Sequence, residues 1–288
     1  MDKVSLFGLS EPTARLFAFG FIFAVMALAE LIAPRLERRE LAGALKTRRW
    51  VTNLAMVIFS SIALRLIFPL AAVGTALWAQ SNNFGLLPMS GVSGWLAGLL
   101  AFVVLDFVVW LEHVVSHKWH LLWRIHRTHH ADTGIDLTTA LRFHPLEIVL
   151  SMFWKALVII ALGAPPLAVL VFEIVLNGAA MFNHANFKIP HRIDRVLRWL
   201  IVTPDMHRIH HSTEREETDS NYGFNLSIWD RMFATYTHQP RRGDENIEIG
   251  LKEWRDEAPS GLVWSLALPF RSPPATMPPS DIKNDTAA

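Results

Sequence analysis

The sequence predicts an all-α protein, a multi-span membrane helix bundle with a cytoplasmic helical cap. Three observations carry that prediction. Of the 288 residues, 51% are hydrophobic and only 18% are charged, where soluble domains run nearer about 25% charged. Five apolar runs come close to or exceed the roughly 20 residues that a helix needs to cross a hydrocarbon core. Past the last of them the chain turns polar and aromatic, and of its thirteen histidines eight fall in three short clusters at or past the ends of runs.

The first run, Ala14 to Ala33, lacks a basic flank and a small-residue cleavage site, so it reads as a retained helix rather than a signal peptide. The second, Val51 to Ala79, contains Arg65, which should face the bundle or snorkel to an edge because a bare cation in lipid is costly. The third, Gly94 to Leu111, passes straight into histidine-rich sequence. The fourth and fifth, Leu146 to Leu162 and Leu167 to Met181, flank the turn Gly163-Ala164-Pro165-Pro166. They carry Lys155 and Glu173, which suggests a bundle-facing hairpin rather than two lipid-exposed spans. Arg35, Arg38, Arg39, Lys46, Arg48 and Arg49 fill the loop after the first run, while 80–89 and the Pro-Pro turn hold no Lys or Arg. The positive-inside rule then puts the N-terminus outside and every histidine cluster on the cytoplasmic side. The chain divides into N-terminal transmembrane helices (1–93), a catalytic segment (94–240) and a polar C-terminal tail (241–288) whose last stretch from Pro273 is disordered by composition.

Net charge is +1, so no basic field points to nucleic acid. Cysteine is absent, which excludes disulfides, iron–sulfur clusters on thiolates, thiolate haem and cysteine zinc sites. A tightly held transition metal must therefore sit on imidazole. His113-Val-Val-Ser-His117 sets two rings at i and i+4; His126-Arg-Thr-His129-His130 and His207-Arg-Ile-His210-His211 each set three at i, i+3 and i+4. Positions three and four apart share a helix face, so each cluster aims its nitrogens at one point. Eight rings are too many for one ion and suit two, which makes the cap the holder of a polyhistidine dimetal site. His184, at the end of the fifth run, is a ninth candidate ligand. His144 is a candidate for contact with a ligand histidine or with substrate, as is Asn186. Asp106, Glu112 and Asp205 are candidates to orient ligand rings. His120, His191 and His238 read as structural or surface residues. Imidazole suits Zn, Cu, Fe and Ni alike, so ligand type leaves the metal open, although a catalytic zinc takes only three protein ligands and H-E-x-x-H is absent.

Over about Asp106 to Tyr236 these strings resemble the fatty acid hydroxylase / sterol desaturase superfamily. The histidine boxes carry the resemblance. So do Arg142-Phe143-His144-Pro145-Leu146-Glu147, Asn183-His184-Ala185-Asn186, Asn221-Tyr222-Gly223-Phe224 and the segment Trp229-Asp230-Arg231-Met232-Phe233-Ala234-Thr235-Tyr236. The resemblance implies a non-haem di-iron centre, dioxygen as co-substrate, and hydroxylation or desaturation of a lipid drawn from the bilayer of a bacterial inner membrane or endoplasmic reticulum. It makes His113, His117, His126, His129, His130, His207, His210 and His211 iron ligands and adds His184; where some members have a further histidine, this chain has Lys188. Gly223 would permit a tight turn and Trp229 would anchor the cap at the interface. No His-Pro-Gly-Gly string and no Rossmann glycine fingerprint occurs, so electrons would come from a separate ferredoxin or cytochrome with its reductase. The competing readings are a metal-dependent lipid hydrolase and a non-enzymatic metal-binding membrane protein.

Overall fold

The computed structural model describes residues 4–36 and 43–274; Arg38, Arg39 and the compositional tail from 275 lie outside the described residues. Among the described residues, five stretches are long and apolar enough to cross a membrane. Helix α1 (Glu11–Ile32) is followed by α2 (Gly43–Ile67), α3 (Ala71–Ser81) and the single turn α4 (Leu86–Met89). The second apolar run is thus two helices, not one. Pro69 is the reason: it has no N–H to give the preceding turn and its ring collides with that turn's carbonyl, and Ala71 leaves at φ +49°. Helices α5 (Gly94–Lys118) and α6 (His120–His130) meet at Trp119, whose extended backbone ends one and caps the other. Helices α7 (Pro145–Leu162) and α8 (Pro166–His184) flank the Pro-Pro turn.

The bundle has two recognisable ends. At one, Gly163 caps α7 in the left-handed region and Gly85 packs so closely on it that a Cβ on Gly85 would lie 2.1 Å from the Gly163 nitrogen. At the other, the backbone after α1 pairs with that after α8, Lys188 N–H donating to Ala33 and Arg35 N–H to Asn186. Between them, small residues (Ala72, Ala76, Ala97, Ala101) let helices approach closely, and Leu105, Leu170 and Phe172 fill the core. The expected inward-facing hairpin is half right. Helix α8 is central and buries Glu173, which receives Arg15 of α1 at 2.5 Å and lies 3.8 Å from Lys155. Helix α7 instead leaves Phe153, Trp154 and Leu157 exposed, a lipid-facing surface. Arg65 does not face the bundle; it is exposed in the last turn of α2.

The cap contains α9 (His191–Leu197), α10 (Pro204–His210), α11 (Arg215–Thr218), α12 (Ile228–Met232) and α13 (Leu262–Ala267). The stretch expected to be a tail from 241 is folded onto the cap as far as Phe270. Leu251, Trp254 and Leu268 pack on Trp123 and Ala131 of the α6 end, and the guanidinium groups of Arg124 and Arg127 donate to the carbonyls of Pro269 and Leu268. Sequence polarity concealed this because Leu251 and Trp254 are isolated among Lys, Glu, Asp and Arg, and the apolar stretch 261–270 that holds Leu268 is too short to span a membrane.

A buried polar knot ties the bundle to the loop that follows α6. Asp132 accepts from Arg49 Nε, from Asn53 Nδ2 at 3.0 Å and from Thr139 Oγ1 at 2.8 Å. Arg142, fully buried, donates to the carbonyls of Thr128 and Pro259, to Asn53 Oδ1 and to Ser265 Oγ. Burial works against the charge on Asp132, but Arg49 and Arg142 outweigh it and hold the carboxyl below the usual carboxylate range. Asp132→Ala leaves buried Arg142 without its counter-charge and Arg49 with Asp136 alone, so it should destabilise the fold by about 3–5 kcal/mol. The check is thermal unfolding in detergent followed by circular dichroism.

Candidate metal centre

The site is assembled from four helix ends. One face of α5 presents His113 and His117, and the break at Trp119 turns α6 so that His126, His129 and His130 confront them. His184 is the last residue of α8; His207 and His210 lie on α10, whose C-cap is His211. The Thr203 side chain caps the start of α10 by accepting from Met206 N–H. All nine rings are buried, none more than 3% exposed. They form two adjoining groups, His113, His117, His126, His130 and His210 in one and His129, His184, His207 and His211 in the other, with donor atoms within 4.8 Å of one another inside each group. The groups meet where the rings of His130 and His211 stack at 4.6 Å.

Proton counting shows what these contacts are. The Nδ1 atoms of His113, His184 and His210 each lie 2.7 Å from a backbone carbonyl, of Tyr222, Ala180 and Ser220. Nδ1 of His126 lies 2.6 Å from Glu147 Oε1. A carbonyl only accepts, so Nδ1 of His113, His184 and His210 carries the proton, and Nε2 of each of these rings, when neutral, is a bare lone pair. Yet the Nε2 of His113 lies 3.1 Å from that of His126 and 3.0 Å from that of His210. The lone pairs of His113 and His210 face each other with no proton between them. In the second group the single lone pair on His184 Nε2 is approached by the Nε2 atoms of His129, His211 and His207 at 3.0, 3.1 and 3.1 Å, and it cannot accept from all three. Such convergence is repulsive unless a cation sits at its centre.

The spacing suits a metal. With metal–imidazole bonds of about 2.1 Å, neighbouring ligands of an octahedron are about 3.0 Å apart and opposite ones about 4.2 Å. Five donors in one group also exceed the four of a tetrahedral ion. Protonation state agrees: burial, then the neighbouring imidazoles, hold His129, His130, His207 and His211 well below the ordinary imidazole value. Burial takes His210 down to about 3 despite the opposing bond to Ser220. These rings are free bases at neutral pH, the form in which a metal takes them.

The groups that orient the rings are mostly not those the sequence suggested. Asp106 accepts from Asn225, Leu226 N–H and Trp229. Glu112 accepts from Ser151, and Asp205 pairs with Arg35 and Arg208. None of the three touches a histidine of the site. His144 caps α7, its Nδ1 accepting from Leu146 N–H and its Nε2 3.2 Å from the Leu266 carbonyl, so both nitrogens are spent on structure. Asn186 exchanges hydrogen bonds with the Leu36 backbone and thereby joins α1 to α8. His120, His191 and His238 are exposed away from the site, and so is Lys188. The carboxylates at the rings are Glu147, on His126, and Asp219, 3.5 Å from His117 Nδ1. Glu147 was visible as the end of the Arg142–Glu147 string; Asp219 carried no signal. Asp230 acts at one remove, accepting from Trp110, Thr235 and the N–H groups of Tyr222 and Gly223, and so holding the carbonyl that orients His113. Gly223 is needed for close packing rather than for a left-handed turn: a Cβ there would lie 2.7 Å from Val202 Cγ2 and 2.9 Å from the Leu226 oxygen.

This geometry carries two expected outcomes. Glu147→Ala should weaken metal binding at the five-histidine group by roughly 10–100-fold while leaving helix content unchanged, as read by metal titration alongside circular dichroism. Acid should destabilise the metal-free chain. Below about pH 6.5 the unfolded histidines bind protons that the buried ones refuse, and stability rises with pH wherever the unfolded state binds more protons. Melting temperatures of metal-stripped protein at pH 7.5 and 5.5 check the sign.

Known proteins are similar to this chain over the part that holds the site. The profile of the fatty acid hydroxylase family matches residues 98–235. An ornithine lipid hydroxylase from Rhizobium tropici is 29% identical over 172 residues, covering 60% of this chain and 50% of that protein. Alkylglycerol monooxygenase from Homo sapiens is 31% identical over 177 residues, covering 61% and 36%. A very-long-chain aldehyde decarbonylase from Oryza sativa is 25% identical over 189 residues, covering 60% and 28%. The chain therefore spans half or less of the length of these relatives, and no solved structure matches it. The matched segment holds all nine histidines of the two groups, and over it the chain is similar to the fatty acid hydroxylase family.

Proposed function

We propose that the chain is a membrane-bound non-haem di-iron oxygenase that hydroxylates a lipid C–H bond, with desaturation as the alternative outcome at the same centre. One observation carries the reading: two adjoining groups of five and four buried imidazoles at one end of a membrane-spanning bundle. In this reading all nine rings are iron ligands, and no tenth is supplied at Lys188. Hydroxylation balances as R–H + O2 + 2 electrons + 2 protons → R–OH + H2O. The electrons come from a separate ferredoxin or cytochrome with its reductase. Bound iron would supply the dioxygen chemistry that side chains lack.

The chain's own residues hold, orient and keep dry. Tyr222, Ala180, Ser220 and Glu147 fix four ring planes through their Nδ1 protons. Phe143 lies flat on His129 at 4.3 Å, and Phe224 reaches from the bundle core to His113 and His207. These rings make the approach to the site apolar, which suits an alkyl chain arriving from the bilayer. Relatives named for ornithine lipid and alkylglycerol support a lipid with a polar head as substrate class. The basic residues Lys46, Arg48 and Arg49 of α2 lie at the histidine end, which by the positive-inside rule faces the cytoplasm of a bacterial inner membrane or of the endoplasmic reticulum. The working unit runs from 94 to 240 with the strap to Phe270 added, on the helices of 1–93.

A zinc hydrolase would leave the five-donor group unexplained. The test is metal analysis of purified protein together with lipid turnover under air and under nitrogen. Two irons per chain and oxygen-dependent product one oxygen heavier, or two hydrogens lighter, are expected. His129→Ala and His210→Ala should each lose iron from one group and abolish turnover. A single zinc with oxygen-independent product would sink the proposal.

A further inference from the structure

Asp106 sits midway along the 25 residues of α5, inside a stretch apolar enough to cross a membrane. A carboxylate at that depth is costly and needs a partner. Its partners are all from the cap. Asp106 accepts from Asn225 Nδ2 at 2.8 Å, Leu226 N–H at 3.3 Å and Trp229 Nε1 at 2.8 Å. One turn further on, Trp110 Nε1 donates to Asp230 at 3.0 Å. The rings of Phe107 and Trp110 lie 5.8 and 4.7 Å from that of Phe233. Residues 225–233 are therefore level with the middle of α5, not beyond its end.

A helix of 25 residues is about 37 Å long and the hydrocarbon core about 30 Å thick. The middle of α5 cannot stand clear of the bilayer, so neither can the segment clamped to it. That segment brings α9 with it. Ile201 bridges Leu226, Val202 N–H donates to the Asn225 carbonyl at 3.0 Å, and Arg231 lies over the Trp199 ring at 4.3 Å. The outer face of this unit is apolar: Ile193, Val196, Trp199, Leu200, Met232 and Phe233 are each about half or more exposed. It is continuous through Phe107 with the lipid-facing side of α5, where Leu99 and Leu100 are exposed. Arg192 and Arg195 are exposed on the flank of α9.

We propose that residues 191–200 and 228–233 form a shelf immersed in the bilayer leaflet on the histidine side. Its apolar face lies among acyl chains, and Arg192 and Arg195 meet lipid phosphates. The occupant of this surface is the membrane itself, as expected of an amphipathic element with an apolar face and flanking cations. The shelf sets the depth of the metal centre, because the Asp230 that anchors it also holds the Tyr222 carbonyl on His113. The proposal does not depend on the reaction catalysed.

The absence of cysteine makes the test clean, since a single introduced thiol is the only one in the chain. Nitroxide labels at Leu200→Cys and Met232→Cys, in full-length protein in phosphatidylcholine/phosphatidylglycerol vesicles, report collision with oxygen and with a water-soluble nickel chelate. Leu99→Cys on α5 serves as the lipid control and Glu245→Cys, exposed on the cap, as the aqueous one. The expected result is an oxygen-to-chelate ratio like that of Leu99→Cys and several-fold above that of Glu245→Cys. A ratio matching Glu245→Cys overturns the proposal by making the face aqueous. Exclusion of both probes, with spin–spin broadening that disappears on dilution with unlabelled protein, overturns it by showing a second copy on the face. Val196→Cys is the substitute position should either variant fail to fold.

Discussion

Nine buried imidazoles that turn nitrogens toward one another in two tight groups define the constraint under which the rest of the chain is arranged. Nitrogen lone pairs about 3 Å apart repel, and in a protein interior that repulsion is poorly screened. The chain meets it by holding rings from behind. Backbone carbonyls of Tyr222, Ala180 and Ser220 and the carboxylate of Glu147 keep protons on the outer nitrogens. Two of those acceptors are themselves held in place: Tyr222 by Asp230, and Glu147 on the first turn of α7 behind the His144 cap. Preorganisation of this kind lowers the reorganisation a bound cation requires, and it gives the dimetal reading its physical content.

The same logic explains the ionisable groups lodged among apolar helices. Asp106 has the cap loop as partner, Glu173 has Arg15 and Lys155, and Asp132 has Arg49. None is a free charge in lipid; each fastens one element to another at a place where water cannot compete. The loop after α6 is the extreme case. It must leave the histidine pair at 129–130 and return to start α7, and Arg142 and Asp132 hold it at both ends against α2 and the strap at 259–265.

The relatives differ in what their names say they do: one hydroxylates ornithine lipid, one is a monooxygenase of alkylglycerols, one is an aldehyde decarbonylase. Divergent lipid chemistry within one family is the expected result when metal ligands occupy helix ends and the surrounding bundle chooses the substrate. In this chain the apolar rings packed directly on the histidines are Phe143, on His129, and Phe224, on His113.

Local pattern alone determined the apolar runs, apart from the break at Pro69 in the second, and the histidine clusters, because each depends on neighbours within one or two helical turns. Apolar runs of helical length and histidines at i, i+3 and i+4 are such signals, and His184 was legible because it ends a span. What needed the tertiary structure was every pairing across distance. The sequence contained Asp106, Glu112, Asp205 and Asp219 alike, but only the fold decided that Asp219 stands at His117 while Asp106 holds a loop 120 residues away. The division of nine rings into five and four is likewise tertiary: His129 and His130 are adjacent in the chain yet point into different groups, because successive residues on a helix diverge by about 100°. The strap from 247 to 270 escaped the sequence for the same reason, since its few anchors, Leu251, Trp254 and Leu268, become a core only when Trp123 is brought beneath them.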